Sequence, residues 1–233
     1  MAQNMQKLER LSAESGIIKT DYSLVKVCSA PFGCPGQVLN PRQLMERLSS
    51  LIEKSGYREF LEENVHGPIL AHHRFRISLS GCPNACSQPQ IQDFGVIARA
   101  FPERAKEPCI LCMNCVVACR EEATDIIEGE PVIDYMECVG CSDCARACPT
   151  SALIARRSGY SIIIGGKLGR HPQLAQEIID MTDEDGVAIA LDTCLKLYME
   201  NMQGEERFAR VVDRLGLDTF IQAVEENIRK SRS

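Results

Sequence analysis

The sequence predicts an α+β protein in which a small cysteine-rich module interrupts a larger α/β domain. Three observations predict it. Eight of the thirteen cysteines fall in two near-identical runs between residues 109 and 148. The composition changes abruptly between Pro102 and Pro108, where those runs begin. Strand-like and helix-like periodicities occur on both sides of the runs, so the sheet resumes after the module and the arrangement is not a simple tandem. The expected boundaries are 1–102 for the first part of the α/β domain, 103–155 for the module and 156–233 for the second part.

Residues 1–15 read as a short polar helix that Gly16 stops. Tyr22 to Val27 alternate as a strand does and deliver Cys28 to a Gly/Pro-rich loop ending at Gly36. A helix then starts with Asn40 as N-cap, Pro41 at its first position and Gln43 at the capping-box position. Leu44, Leu48, Leu51 and Ile52 share one face, and the helix stops near Gly56. From Arg74 to Ser80 the alternation is strict: Phe75, Ile77 and Leu79 face one way, Arg74, Arg76, Ser78 and Ser80 the other. That strand runs straight into Gly81 and Cys82. Phe94 to Phe101 read as a further strand. Within the module, each cysteine run is followed by a short strand-like stretch, Asp125 to Ile127 and Ala152 to Ala155. Gly159 to Gly165 resume a buried strand, and helices are expected near Pro172, Thr182 and Glu205.

With 233 residues and 45% hydrophobic content, the chain can bury a substantial core. Its first fifteen residues lack the apolar run of an export signal, and the stretch around Ile162 to Ile164 is far too short to span a bilayer. A soluble, cytoplasmic protein without membrane attachment is expected, and with it metal ligation for the cysteines instead of disulfides. The net charge of −6 argues against nucleic acid as a partner.

Cys109, Cys112, Cys115 and Cys119 spell C-x2-C-x2-C-x3-C, and Cys138, Cys141, Cys144 and Cys148 repeat it, followed by Pro149. This is the spacing of bacterial two-cluster ferredoxins, where each run gives three thiolates to one 4Fe–4S cluster and its fourth to the other. By that rule Cys109, Cys112, Cys115 and Cys148 hold one cluster, and Cys138, Cys141, Cys144 and Cys119 the second. Zinc is the competing reading, but zinc sites seldom use x2-x2 spacing and take four ligands where eight stand here. Such clusters tolerate oxygen poorly, which points to an anaerobic or strongly reducing setting. A third pattern is split: Cys28 and Cys34 make C-x5-C, and Cys82 and Cys86 make C-x3-C inside Ser80-Gly81-Cys82-Pro83-Asn84-Ala85-Cys86.

At these motifs the chain resembles the sulfite and nitrite reductases that couple siroheme to a 4Fe–4S cluster, and in particular the dissimilatory branch with its inserted ferredoxin domain. The resemblance covers about residues 25 to 200. It implies a third cluster on Cys28, Cys34, Cys82 and Cys86, with Cys86 also bridging to siroheme iron. Ser80 and Asn84 of the same loop are then cofactor contacts. The segment Gly165-Gly166-Lys167-Leu168-Gly169-Arg170-His171-Pro172 looks like the family's later tetrapyrrole-contacting loop.

Siroheme carries eight carboxylates and the substrates are small anions, so fixed cations are required. The candidates are Arg74 and Arg76 on one strand face, which stand where the family often reads K-F-K, together with Lys167, Arg170 and His171 in the Gly-rich turn. Arg74 and Arg76 are the expected stabilisers of charge on bound substrate, although arginine cannot donate a proton as lysine can. The bland alternatives are a solvated strand face and an ordinary strand-to-helix turn. His72 and His73 adjoin Arg74 and could move protons or lie on the surface, Arg42 could reach the cofactor or be solvated, and Cys194 reads as a buried free thiol. Only 27 residues precede Cys28, fewer than the substantial domain the family places there. A homodimer, or a hetero-oligomer with a reductase partner subunit, is therefore expected to complete the site, with an electron-donor protein upstream. The expected function is six-electron reduction of sulfite or nitrite, or, alternatively, electron transfer by a siroheme-free iron–sulfur subunit of a larger complex.

Overall fold

The computed structural model describes residues 16–232, so the helix expected over 1–15 lies outside the described residues. Six strands form one mixed sheet in the order β1 (Ile17–Lys19), β2 (Ser23–Val27), β3 (Phe75–Ser80), β4 (Phe94–Arg104), β7 (Leu153–Ile164) and β8 (Gln176–Thr182). β2, β3 and β4 run parallel, and β1, β7 and β8 pair antiparallel to their neighbours. Between β4 and β7 lie a two-stranded sheet, β5 (Thr124–Ile127) with β6 (Glu130–Ile133), and two short helices, α3 (Asn114–Ala118) and α4 (Asp143–Ala147).

Val25, Phe75, Ile77, Leu79, Phe94, Val96 and Ile162 present one face of the sheet to a single core. Onto it pack α1 (Arg42–Lys54), α2 (Tyr57–Asn64), α5 (Glu184–Asn201), α6 (Phe208–Leu215) and α7 (Leu217–Ser231). In α1 the buried stripe is Leu44, Met45, Leu48, Ser49 and Ile52. The helix starts one residue later than expected, with Pro41 at the N-cap position in place of Asn40 and no side-chain cap bond, while Asn40 Oδ1 accepts from the Arg42 N–H at 3.1 Å just before it. In α5 the Asp183 carboxylate accepts from the Gly186 N–H at 2.8 Å and pairs with Arg232. Asp183→Ala is expected to cost about 1 kcal/mol at pH 7, the usual worth of an N-cap, measured by denaturant titration.

Two corrections concern the second half. No helix forms near Pro172: the chain there is an exposed loop followed by β8, because residues 176–182 pair with the long strand β7 and satisfy their backbone in the sheet. Where one helix was expected near Glu205 there are two, separated at Gly216 with φ 85°. α2, starting after Gly56 with φ 79°, has no counterpart in the sequence reading.

β4 and β7 are longer than their sequence cores, and their register continues to Arg104 opposite Leu153 after a bulge at Phe101/Pro102. Both strands therefore cross the boundaries expected at 102/103 and 155/156, and residues 105–152 extend from the end of this ribbon. Among the described residues no helix is long and apolar enough to cross a membrane.

Candidate functional site

β2 and β3 end side by side, so their parallel pairing brings the two halves of the split cysteine pattern together. Cys28 N–H donates to Leu79 O, and Gly81 N–H donates to Cys28 Sγ at 3.2 Å. Gly81 O in turn accepts from Val38 and Leu39 beyond the C-x5-C turn. A β-carbon at Gly81 would stand 2.4 Å from Ala30 Cβ and 2.7 Å from Leu39 O, so only glycine permits this approach. The Cys82 thiol is pushed up in pKa by burial and by its neighbours Cys28, Cys86 and Cys34, which places the four thiols within electrostatic reach of one another. Cys86 is exposed while the other three are half-buried, and its Sγ accepts from Asn84 Nδ2 at 2.9 Å.

The loop after Cys86 folds back over the sheet. Ser78 Oγ donates to Ser87 O at 2.7 Å, and Ser80 Oγ and Ser87 Oγ share a hydrogen bond at 2.6 Å. The second face of β3 is therefore not solvated: Ser78 and Ser80 are fully buried under this loop, and Ser80 supports it from beneath. The glycine-rich segment packs beside it. A β-carbon at Gly166 would meet Gln90 O at 2.5 Å and Gln92 O at 2.7 Å, and Ala175 N–H donates to Gln90 O. The loop closes through reciprocal backbone bonds between Lys167 and Gln173, both 2.9 Å.

The predicted cations are distributed unevenly. Arg76 is half-buried; burial, reinforced by the charges of Arg207 and Arg74, lowers its pKa against the pull of Asp93. Arg74 Nε donates to Asp21 O, tying it to the β1–β2 turn at the end of the sheet away from Cys82. Lys167 Nζ lies 3.4 Å from Asp213 Oδ2, whereas Arg170 and His171 stand exposed at the loop tip. His73 is buried against the helical layer, its Nδ1 accepting from Leu70 N–H and its Nε2 3.6 Å from Glu205; His72 is exposed. The Arg42 guanidinium lies 5.3 Å above the Phe32 ring, within the C-x5-C turn. Cys194 is fully buried in the core.

Sequence reading missed three members of this region. Lys26 pairs in register with Ser78, beside Arg76 opposite Leu24, and is half-buried with its pKa lowered by burial. Its i, i+2 spacing from Cys28 was the available signal. Asp93 is buried just before β4, where its Oδ2 accepts from the Arg76 N–H at 3.0 Å and its Oδ1 lies 3.6 Å from Arg207 Nη2. Burial raises the Asp93 pKa against Arg207 and the Arg76 N–H. Arg207 also donates to Leu168 O, linking α6 to the glycine-rich loop. Nothing local marks Asp93 or Arg207, because their partners are distant in sequence.

In the segment between β4 and β7 the two cysteine runs adopt matching backbones. Leu111 and Met113 in the first, and Gly140 and Ser142 in the second, have φ between 57° and 74°, and α3 and α4 follow at equivalent positions. Such left-handed turns aim successive N–H groups inward as an anion-binding nest. Cys109, Cys112, Cys115 and Cys148 line one cavity with Ile110, Met113 and Leu153. Burial raises the Cys115 pKa, reinforced by Cys148 and Cys109. Burial also raises the Cys148 pKa, but hydrogen bonds from the backbone of Leu153, Thr150 and Ala152 and from the Thr150 side chain outweigh it and bring it down. Cys138 is raised by burial and by Cys119, and Cys144 is pushed up to about 11 by burial, with smaller contributions from Cys138 and Cys141. Cys148 of the second run thus lines the cavity of Cys109, Cys112 and Cys115, and Cys119 of the first run acts on Cys138. Among the described residues no three His, Cys, Asp or Glu side chains close on a single ion.

Residues 25–231 match the model of the nitrite and sulphite reductase 4Fe-4S domain. The coenzyme F420-dependent sulfite reductase of Methanocaldococcus jannaschii is 31% identical over 185 residues, 78% of this chain and 29% of that protein. An uncharacterized protein of the same organism is 31% identical over 173 residues, 72% of this chain and 58% of its own length. The chain thus spans less than two thirds of either relative. Among solved structures, dissimilatory sulfite reductase I shares the fold with a TM-score of 0.61 at 17% identity, covering 96% of this chain and 57% of that one. With the family model spanning nearly the whole sheet and both halves of the split cysteine pattern, the chain belongs to the nitrite and sulphite reductase 4Fe-4S domain family.

Proposed function

We propose that the chain is the cluster- and siroheme-bearing part of a sulfite or nitrite reductase, working in an oligomer or with a partner subunit that closes the site. The observation that carries this reading is the exposed Cys86 thiol on a loop bonded to Ser78 and Ser80 of β3, the strand that also carries half-buried Arg76 and pairs with half-buried Lys26. Cys28, Cys34, Cys82 and Cys86 fit a cubane by their mutual proximity. Cys109, Cys112, Cys115 and Cys148, and likewise Cys138, Cys141, Cys144 and Cys119, fit two more in an inserted ferredoxin-type module spanning about 103–155.

Siroheme, held here by Cys86 and the neighbouring cations, would supply the centre for six-electron reduction of sulfite or nitrite. The protein's own contribution is positional and electrostatic. Cys86 is held by the Asn84 amide, whose hydrogen bond also offsets thiolate charge. The Ser78, Ser80 and Ser87 bonds fix the loop that carries Cys86. Arg76 and Lys26, with Arg170 and His171 from the glycine-rich loop, supply the positive charge for carboxylates and substrate. Arg76 lies four residues, or about 13 Å at ~3.3 Å per residue, from the level of Ser80 and the Cys86 loop.

One observation favours a second reading, a siroheme-free electron-transfer subunit: Lys167 is neutralised by Asp213, and Arg74 is tied to Asp21. The visible spectrum of anaerobically purified protein separates the two. Tetrapyrrole bands that shift with sulfite or cyanide, alongside about twelve irons per chain from three cubanes, are the expected result. The same iron content without those bands would leave the electron-transfer reading standing instead.

A further inference from the structure

Residues 103–152 carry ten carboxylates against four cations, a net of −6 that equals the charge of the whole chain; elsewhere 22 acidic side chains balance 22 basic ones. Two of the four cations are already paired, Arg104 with Glu130 and Arg146 with Asp143. The same segment holds nine of the fourteen large hydrophobics exposed among the described residues. Four of these flank Cys112 in the chain: Ile110, Leu111, Met113 and Val117, exposed by 58%, 54%, 43% and 85%, with Ile110 and Met113 also on the wall of the Cys109 cavity. Val117 N–H donates to Met113 O, so these two side chains lie one turn apart on the same side of α3. Cys112 is the exposed cysteine of this segment; the other seven are half-buried or buried.

The β4–β7 ribbon orders the three thiol sets. Ser80 pairs with Ile97, so Cys82 leaves the sheet near the level of Arg99. Gly140, in the second cysteine run, accepts from the Ala100 N–H at 2.7 Å, which puts the Cys138 set close to that level. Leu153, in the wall of the Cys109 cavity, pairs with Arg104, four residues or about 13 Å farther out. The set farthest from Cys86 along the ribbon is thus the one with the exposed thiol and the apolar collar.

We propose that the collar around Cys112 is the docking face for a separate redox protein that presents an apolar centre ringed by lysine and arginine. This rests on the reading of the module as a carrier of clusters. One electron passes across this face between the partner's redox centre and the module at the Cys109 set, oxidising the donor and reducing the acceptor in either direction; no bond forms or breaks. A second copy of this chain is excluded from that face by charge, since two surfaces of −6 would oppose each other. Complementary charge steers the encounter, and the uncharged collar permits close approach at the thiol.

The test uses the full chain, purified anaerobically with its iron content measured, reduced by dithionite and mixed in a stopped-flow instrument with oxidised cytochrome c, a lysine-rich haem protein. The second-order rate is expected to fall roughly tenfold between low and ~0.3 M salt. The double variant M113N/V117N should lower it by a similar factor at low salt. Asparagine suits the left-handed backbone of Met113, φ 62°, so the variant retains its fold. Leu70→Asn, an exposed leucine outside the module, should leave the rate unchanged. Iron-replete protein whose rate ignores both salt and the double variant, or responds equally to Leu70→Asn, overturns the docking face. Wild-type protein without iron overturns the cluster reading beneath it, and the docking proposal with it.

Discussion

Cys86→Ser is expected to remove about four of about twelve irons and every tetrapyrrole band at once, and to take sulfite or nitrite reduction to background. The reason is position. Cys86 is the exposed thiol of its set, on a loop pinned by Ser78, Ser80 and Ser87, and the half-buried cations Lys26 and Arg76 lie on the paired strands β2 and β3 that this loop crosses. A serine alkoxide is a poor cluster ligand at neutral pH, so the cubane loses a corner that the other three thiols cannot replace. The eight module cysteines are held by separate backbone turns and should keep their iron. Iron analysis with electron paramagnetic resonance of the reduced protein reads both outcomes. Retention of tetrapyrrole bands in the variant would show that another residue supplies the bridge.

The second large effect is expected from Arg207→Met. Asp93 is buried and faces two partners, the Arg76 N–H and Arg207. Removing the guanidinium leaves a buried carboxylate with one hydrogen bond, a change that costs about 3 kcal/mol. The loss should depend on pH. Burial already raises the folded-state pKa of Asp93 above its ordinary value, and without Arg207 it rises further. In the window between the unfolded and the raised folded pKa, the native state binds more protons than the unfolded state, so stability falls as pH rises. The variant's deficit should therefore be largest at neutral pH and shrink toward pH 5, read from denaturant midpoints across that range. The conservative Arg207→Lys should restore most of the stability while losing the bond to Leu168 O, and with it some order in the glycine-rich loop. A deficit independent of pH would assign Arg207 a packing role in place of an electrostatic one.

Much of the architecture was legible because it is encoded locally. The strand from Phe75 to Ser80 and the apolar stripe Leu44, Leu48 and Ile52 of α1 are patterns of period 2 and 3.6 and form as read, although the polar face of the strand is buried at Ser78 and Ser80 and the helix N-cap is Pro41 in place of Asn40. The helix expected near Pro172 failed for the opposite reason: β8 exists because β7 offers it an edge, and no local propensity records that edge. The break at Gly216 and the start of α2 after Gly56 rest on single glycines whose left-handed φ could as easily have ended a helix as joined two.

Cysteine spacing by itself marked a repeated run and a split pair, the pattern that thiolate ligation of cubanes would require. Sequence also limited where cations could lie, naming Arg74 and Arg76 for substrate and cofactor and Lys167, Arg170 and His171 for cofactor alone. Only the tertiary structure ranked them. Parallel pairing of β2 with β3 brought Lys26 into the row; Asp21 and Asp213 drew Arg74 and Lys167 away; and Asp93, buried by the sheet, made Arg207 a keystone of the region. A charge's role depends on what neutralises it and how far it is from water, and both are set by residues far apart in the chain.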